Sequence, residues 1–313
     1  MTFISDKPTA LVLGAGGLVG MAYHVGVLRA LETFGFKPNN CDLVIGTSAG
    51  AVIGAYLREN YSVEDLYQMA VAGDGKGLPR VLNRAGGNPM DSVPRLIGSL
   101  FVASQSLLKL NADRYTNLLL GTLPSGAFRL GDGKAKLELD LGDKWPNKKF
   151  WTVSQDLASG KRFVFGRDNM DSVSICDGVN ASIAIPGIYP PFKYKNRFYV
   201  DGGTYSTSNL DLAVQEKYES IVAIVPMAYD PLKPPSAHQR LLRSFAVKPL
   251  KQELRQAKAN SISVTLFRPS GKLSDLQGIN LMRSDNLVSV ESAAFDETIE
   301  LLNSGRLKNV FAA

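Results

Sequence analysis

The sequence predicts an α/β fold with a mainly parallel central sheet, and three observations predict it. Apolar runs of strand length alternate with helical patterns through the first sixty residues, and each of the first two runs breaks into glycine at its end. Two more apolar runs, IVAIVPM and SVTLFRP, flank a helical stretch near the C-terminal end. Alternation of this kind buries a parallel sheet between helices.

The elements follow in order. Ala10 to Leu13 reads as a buried strand that feeds the glycine loop GAGGLVG. Val25, Leu28, Leu31 and Phe34 recur at helical spacing, and Gly35 stands where a helix C-terminal glycine belongs. Cys41 to Ile45 is a second buried strand, followed by GTSAG and the helical AVIGAYLREN. From Ser62 to about Leu120 the pattern is helical, with Ser62 as N-cap before the acidic turn of Glu64 and Asp65. This segment, 62–120, reads either as a buried helix pair or as a mobile cover over a site. Strand signals return in FRLGDGKAKLELDLG and in FWTVSQDLASGKRFVFG, the second being two runs joined at Ser159 and Gly160. SVSICDGVNASIA reads as a helix, and RFYVDGG as a strand that stops at an acid and two glycines.

The 313 residues show no linker, repeat or low-complexity tract, which favours one domain over 1–313. Hydrophobic residues at 45% and charged residues at 20% exclude a disordered chain. Cys41 and Cys176 match neither a metal pattern nor a disulfide framework and are expected as buried thiols in a reducing compartment. The segment MTFISDKPTALVLGAGG lacks a basic lead into an apolar run, so a cytoplasmic protein is expected. Much of the net charge of +6 lies in 233–258, where Lys233, Arg240, Arg243, Lys248, Lys251, Arg255 and Lys258 face one acid, Glu253. Such a stretch attracts phosphate-bearing surfaces, although a solvated helix face is the plainer reading.

Gly46, Thr47, Ser48, Ala49 and Gly50 form GxSxG between a buried strand and a helix, the context of a nucleophile elbow. The turn lifts the Ser48 hydroxyl out of the sheet, and the helix that follows aims its free amides at the same place. A serine needs a base. The two histidines are His24, inside the first helix, and His238, at the start of the basic stretch; an α/β-hydrolase triad would be Ser48, Asp201 and His238 in that order. The loop GAGGLVG fails the dinucleotide pattern, because from Gly14 and Gly16 the third glycine falls on Val19 and Gly20 comes one residue late. Its remaining physical use is to offer backbone amides to a negative oxygen.

Taken together, LVLGAGGLVGMAYHVGVLRALETFGF, GTSAGA and the motif Asp201, Gly202, Gly203 resemble the patatin-like phospholipase family. FWTVSQDLASGKRFVFG and ASIAIPGIYPPF resemble two further family blocks in the same order, so the likeness covers about residues 10–210. The resemblance implies a patatin-like three-layer fold and hydrolysis of lipid acyl esters, as a phospholipase A or lipid esterase. It implies a dyad in which Ser48 is the nucleophile and Asp201 the proton acceptor. The oxyanion hole would be formed by amides of Gly16, Gly17, Leu18 and Ala49, with Gly14, Gly20, Gly46, Gly50, Gly202 and Gly203 supporting the motifs. It implies no metal, no cofactor and no nucleic-acid partner; a lipid-surface protein without catalysis is the rival from another class. The family's loop usually reads GGGx[RK]G, and here Ala15 and Val19 depart from it.

Overall fold

Eight of the nine residues in the first two strands are apolar or glycine, and their side chains alternate between two separate cores. Leu11 and Leu13 join one and Ala10 and Val12 the other. The computed structural model describes residues 8–72, 137–168 and 173–305. Its strands are β1 (Thr9–Leu13), β2 (Leu43–Gly46), β3 (Lys149–Asp156), β4 (Arg162–Phe165), β5 (Phe192–Tyr194), β6 (Arg197–Asp201), β7 (Ser220–Ile224) and β8 (Ser263–Phe267). The named helices are α1 (Gly17–Thr33), α2 (Ala49–Arg58), α3 (Val63–Tyr67), α4 (Ile175–Ser182), α5 (Asp211–Gln215), α6 (Ala237–Ala259), α7 (Gly271–Gln277) and α8 (Leu287–Asn303).

The strands form one mixed, mostly parallel sheet. β3, β2, β1, β7 and β8 run parallel, while β4, β5 and β6 are antiparallel additions at the β3 side. Val44, Val222 and Ile224 pack with side chains of α1, α2, α4 and α8 on one face; Ile45, Ile221 and Ala223 pack with α5 and α6 on the other. Burial on both faces is why the parallel strands read as continuous apolar runs. The result is a three-layer α/β fold, as the sequence predicts.

The register at β3 positions the site. Thr152 pairs with Gly46 of β2 and with Phe165 of β4, so those strands lie on opposite edges of β3. Ser154 pairs with Phe163 of β4 and with Asp201 of β6, so β6 lies on the β2 edge. β2 and β6 therefore approach each other end to end along β3, and the residues that follow Gly46 are brought to the end of β6 at Asp201.

Several local expectations hold. Ser62 caps α3 in a reciprocal capping box with Asp65, and Gly35 follows α1 with φ of 85°. The turn after Asp156 joins β3 to β4 as an antiparallel hairpin. Two expectations need correction. The second strand begins at Leu43 rather than Cys41, and KLELDL is not a strand: residues 137–141 are helical. The Leu-x-Leu-x-Leu alternation suits either structure, but the helix buries Leu137 and Leu141, one turn apart, and leaves Leu139 85% exposed. Of the helical pattern over 62–120, residues 63–72 are helical and the remainder lies outside the described residues. β5 and α8 have no counterpart in the sequence reading. α8 packs along α1, where Gly26 admits the close approach of Glu291 and Ala294.

Candidate active site

β2 ends at Gly46, and Ser48 turns the chain into α2 with φ of 55° and ψ of −118°. A non-glycine residue at positive φ costs about 1–3 kcal/mol and persists only where its surroundings hold it. Three restraints do so. The Thr47 amide donates to Leu13 O at 3.0 Å, the Ser48 amide donates to Ser182 Oγ at 3.0 Å, and Ser182 Oγ donates onward to Val153 O at 2.7 Å. The flanking glycines are steric requirements. A Cβ on Gly50 would lie 2.0 Å from Leu13 O, and one on Gly46 would lie 2.5 Å from Gly50 O.

Asp201 closes β6 and caps the short 3-10 turn Gly202–Thr204, its Oδ1 accepting from the Gly203 amide at 2.7 Å. Its own amide donates to Ala184 O at 2.9 Å. The Ser48 side chain neighbours this carboxylate and lowers its pKa as a hydrogen-bonding group. Burial pushes the Asp201 carboxyl up to about 7, against the opposing pull of the Ser48 and Gly203 hydrogen bonds. Ser48 and Asp201, 153 positions apart in the sequence, are thus brought together as neighbours.

The backbone amides around this pair divide cleanly. Those of Gly14, Ala15, Val19 and Gly20 donate to Ile224 O, Thr207 O, Leu281 O and Gly16 O, and those of Gly50 and Ala51 donate to Thr47 O and Ser48 O. The amides of Gly16, Gly17, Leu18 and Ala49 have no acceptor among the described residues. These four belong to the N-cap and first turn of α1 and to the first residue of α2, where helix N–H groups are left over and the dipole favours negative charge. Gly17 holds φ of 62°, which glycine adopts without strain. The loop and the acid motif adjoin: a Cβ on Gly203 would come within 3.3 Å of Ala15 Cβ.

The histidines are not part of this arrangement. His24 is fully buried, its Nε2 2.8 Å from Gly14 O, and burial pushes its pKa down to about 4, so a neutral ring donates to and braces the loop. His238 is exposed at the start of α6 and has Ser236 Oγ as its polar partner, 3.4 Å away. The triad order Ser48, Asp201, His238 is therefore not assembled. Val19, where the family usually has a cation, is a buried core side chain, and Ala15 packs beside the acid motif. Cys41 and Cys176 are buried and form no disulfide, and the Cys176 thiol donates to Gly142 O at 3.3 Å.

The sequence reading missed the residues that hold the acid loop. Glu253 on α6 is buried and accepts from Ser206 Oγ at 2.7 Å, Ser208 Oγ at 2.5 Å and the Leu210 amide at 3.2 Å. Asn209, at φ of 51°, donates from Nδ2 to Thr47 Oγ1 at 3.1 Å, next to the elbow. Arg162 on β4 donates to Asn209 and makes a bidentate ion pair with Asp211 at 2.6 and 2.7 Å. The run of Ser206, Ser208 and Asn209 directly after the acid motif was the available signal; its partner on α6 was not readable. Among the described residues no group of three or more His, Cys, Asp or Glu is arranged to hold a metal ion.

An NTE family protein of Mycobacterium tuberculosis (strain CDC 1551 / Oshkosh) is 28% identical over 200 residues, 64% of this chain and 27% of that protein. Lysophospholipase NTE1 of Lodderomyces elongisporus is 26% identical over 200 residues, 64% of this chain and 11% of its own. "Probable lipid hydrolase 463L" of Invertebrate iridescent virus 6 is 22% identical over 205 residues, covering 66% of this chain and 63% of its own. All three relatives are thus longer than the segment they share with this chain. VipD from Legionella pneumophila, a solved structure, is 14% identical with a TM-score of 0.48 over 96% of this chain and 67% of that one. A model of the patatin-like phospholipase family matches residues 11–214, from the first strand through the elbow to beyond the acid motif. The chain belongs to the patatin-like phospholipase family.

Proposed function

We propose that this protein is a lipid acyl hydrolase, a phospholipase A or lipid esterase, that cleaves carboxylic esters through Ser48 and Asp201. The observation that carries the proposal is the Ser48 side chain placed beside the buried Asp201 carboxylate, next to four backbone amides without acceptors among the described residues. Ser48 Oγ attacks the ester carbonyl carbon while Asp201 takes its proton. The amides of Gly16, Gly17, Leu18 and Ala49 receive the negative oxygen of the tetrahedral intermediate. The intermediate collapses, the alcohol leaves with the proton held by Asp201, and the acyl group stays on Ser48. Asp201 then deprotonates water, which attacks the acyl-enzyme and releases the fatty acid. A carboxyl of ordinary pKa, about 3.9, is a weak base. One raised to about 7 is matched to proton transfer near neutrality.

Membership of a lipid-hydrolysing family and the relative named lysophospholipase support a lipid substrate. Peripheral contact with an anionic membrane through 233–258, in a cytoplasmic setting, completes the proposal. α6 supports that contact. Arg243 and Glu253 are buried, and Lys233, Arg240, Lys248, Lys251, Arg255 and Lys258 are exposed. Arg240, Lys248, Lys251, Arg255 and Lys258 fall within an arc of about 80° at ~100° per helical residue.

The test is a panel of phospholipids, neutral lipids and short-chain esters assayed with wild type and Ser48→Ala in parallel. Wild type is expected to release fatty acid and to react with a fluorophosphonate probe, and Ser48→Ala to do neither. A folded wild type that does not label would overturn the enzyme reading in favour of a lipid-binding protein.

A further inference from the structure

We infer that the protein docks on an anionic lipid bilayer with the end of the molecule formed by the start of α6 and by α7, so that the site faces the lipid. The inference rests on the proposed lipid hydrolysis for its purpose but not for its test.

The carboxyl ends of β1, β2, β7 and β8 lie at one end of the sheet, and the elbow and glycine loop are built there. α7 follows β8 directly and belongs to the same end, with Ser270 as its N-cap. The start of α6 is tied to it. Ser236 Oγ donates to Asp275 Oδ1 at 2.5 Å, and Arg243 donates to Ser274 O at 3.3 Å and to Gln277 Oε1 at 2.7 Å. The segment after α7 rests on the glycine loop itself, where Leu281 O accepts from the Val19 amide at 3.1 Å. A Cβ on Gly17 would meet that same carbonyl at 2.6 Å.

Apolar side chains stand in solvent on this end. Leu232 is 83% exposed, Leu241 69%, Ile279 51% and Leu276 37%; they are four of the eight exposed large hydrophobics among the described residues. Single exposed leucines are ordinary, but a group beside a site marks an interaction surface. The charge around them selects the partner. Asp230 is paired with Arg268 and Asp285 with Arg283, while Asp275 accepts from Ser236 and keeps its charge. Lys233, Arg240 and Lys272 are exposed and have no ion pair among the described residues. Leucine and isoleucine beside Lys233, Arg240 and Lys272, three cations against the one unpaired acid Asp275, complement a surface that is apolar inside and negative at its head groups. The cations farther along α6 reach about 27 Å from Arg240 at ~1.5 Å per residue. They supply long-range attraction, while the apolar end makes the contact.

Vesicle sedimentation tests this with the full chain in the Ser48→Ala background, so that no lipid is consumed. Phosphatidylglycerol/phosphatidylcholine vesicles are compared with phosphatidylcholine alone. Anionic vesicles are expected to bind at least about tenfold better, and added salt to weaken the binding. Leu241→Asp with Ile279→Asp is expected to lower partition by about a hundredfold at an unchanged melting temperature. Lys251→Gln, Arg255→Gln and Lys258→Gln together, at the far end of α6, are expected to cost less than about fivefold. The inference is overturned if the folded Asp double variant binds as its parent does. It is also overturned if the far-end triple loses more than that variant, if neutral vesicles bind equally well, or if the apolar end proves to hold a dimer that ignores vesicles. Vesicle binding without any esterase activity in the wild type would leave docking intact and remove the proposed chemistry; the reverse result would do the opposite.

Discussion

The serine elbow and the aspartate loop lie side by side but are held in different ways. The elbow takes its shape from one short stretch, with Leu13 and Ser182 bracing its amides from outside. Strand, glycine, serine, glycine and helix lie within Leu43–Arg58, and the strain at Ser48 is imposed by glycines that admit Leu13 and the first turn of α2. The aspartate loop is held from far away. β6 is set by its register on β3, Ala15 donates to Thr207, Asn209 reaches Thr47, and Glu253 on α6 gathers Ser206, Ser208 and Leu210. The difference teaches that the conformation of Ser48 is stored mainly in nearby backbone, whereas Asp201 is placed by a buried polar network drawn from three layers. Local changes should therefore strike the elbow, and distant ones the aspartate.

The largest effect expected is at the contact between the two. Asp201→Asn should lower kcat by about 10⁴-fold on a short-chain ester. In the wild type, kcat/KM should rise with pH and level off above about 7, since burial raises the carboxyl and only its ionised form accepts the proton. The same shift has a stability sign. The folded state keeps this proton up to about 7, while the unfolded chain loses it near 3.9, so ionising the buried group opposes folding as pH rises through that window. The melting temperature of Asp201→Asn should gain on wild type between those values and run parallel outside them. A gap that ignores pH would mean that Asp201 is not the raised group.

Next comes the distant support. Glu253→Ala leaves three buried donors unmet and should cost about 3 kcal/mol in denaturant unfolding, with kcat falling more than KM changes. Glu253→Gln, which keeps an acceptor, should recover part of both. Ser182→Ala removes the bridge from the Ser48 amide to Val153 O and should cost about 1–2 kcal/mol, with a loss of about tenfold in kcat. If Glu253→Ala leaves kcat untouched while Ser182→Ala does not, the contrast between a local and a distant half is wrong. The smallest effect belongs to His238→Ala, expected within about twofold of wild type; a loss near 10³-fold would restore a triad.

The motifs legible in the sequence were those whose physics is short-range. Glycine spacing around Ser48, the first-turn amides of two helices and the apolar strands buried on both faces each follow from a few consecutive residues. KLELDL misled because alternate leucines satisfy two periods, and only packing against the core chose between them. Arg243 and Glu253 read as part of a charged face, yet both are buried, and removing them leaves the exposed face of α6 more uniformly positive. Their burial depends on partners in α7 and in the loop after Asp201, which no local pattern encodes.

The sequence by itself determined the α/β class and the elbow, because each is written in contiguous residues with a steric or hydrogen-bonding reason to be there; Asp201 stood out only through the family resemblance of its motif. Only the tertiary structure decided that the two meet, that His24 braces a loop and His238 stands apart, and that four particular amides are left without acceptors. These outcomes depend on strand register and on buried donors finding acceptors from other layers. A chain cannot display either until non-local pairing has fixed which groups water no longer reaches.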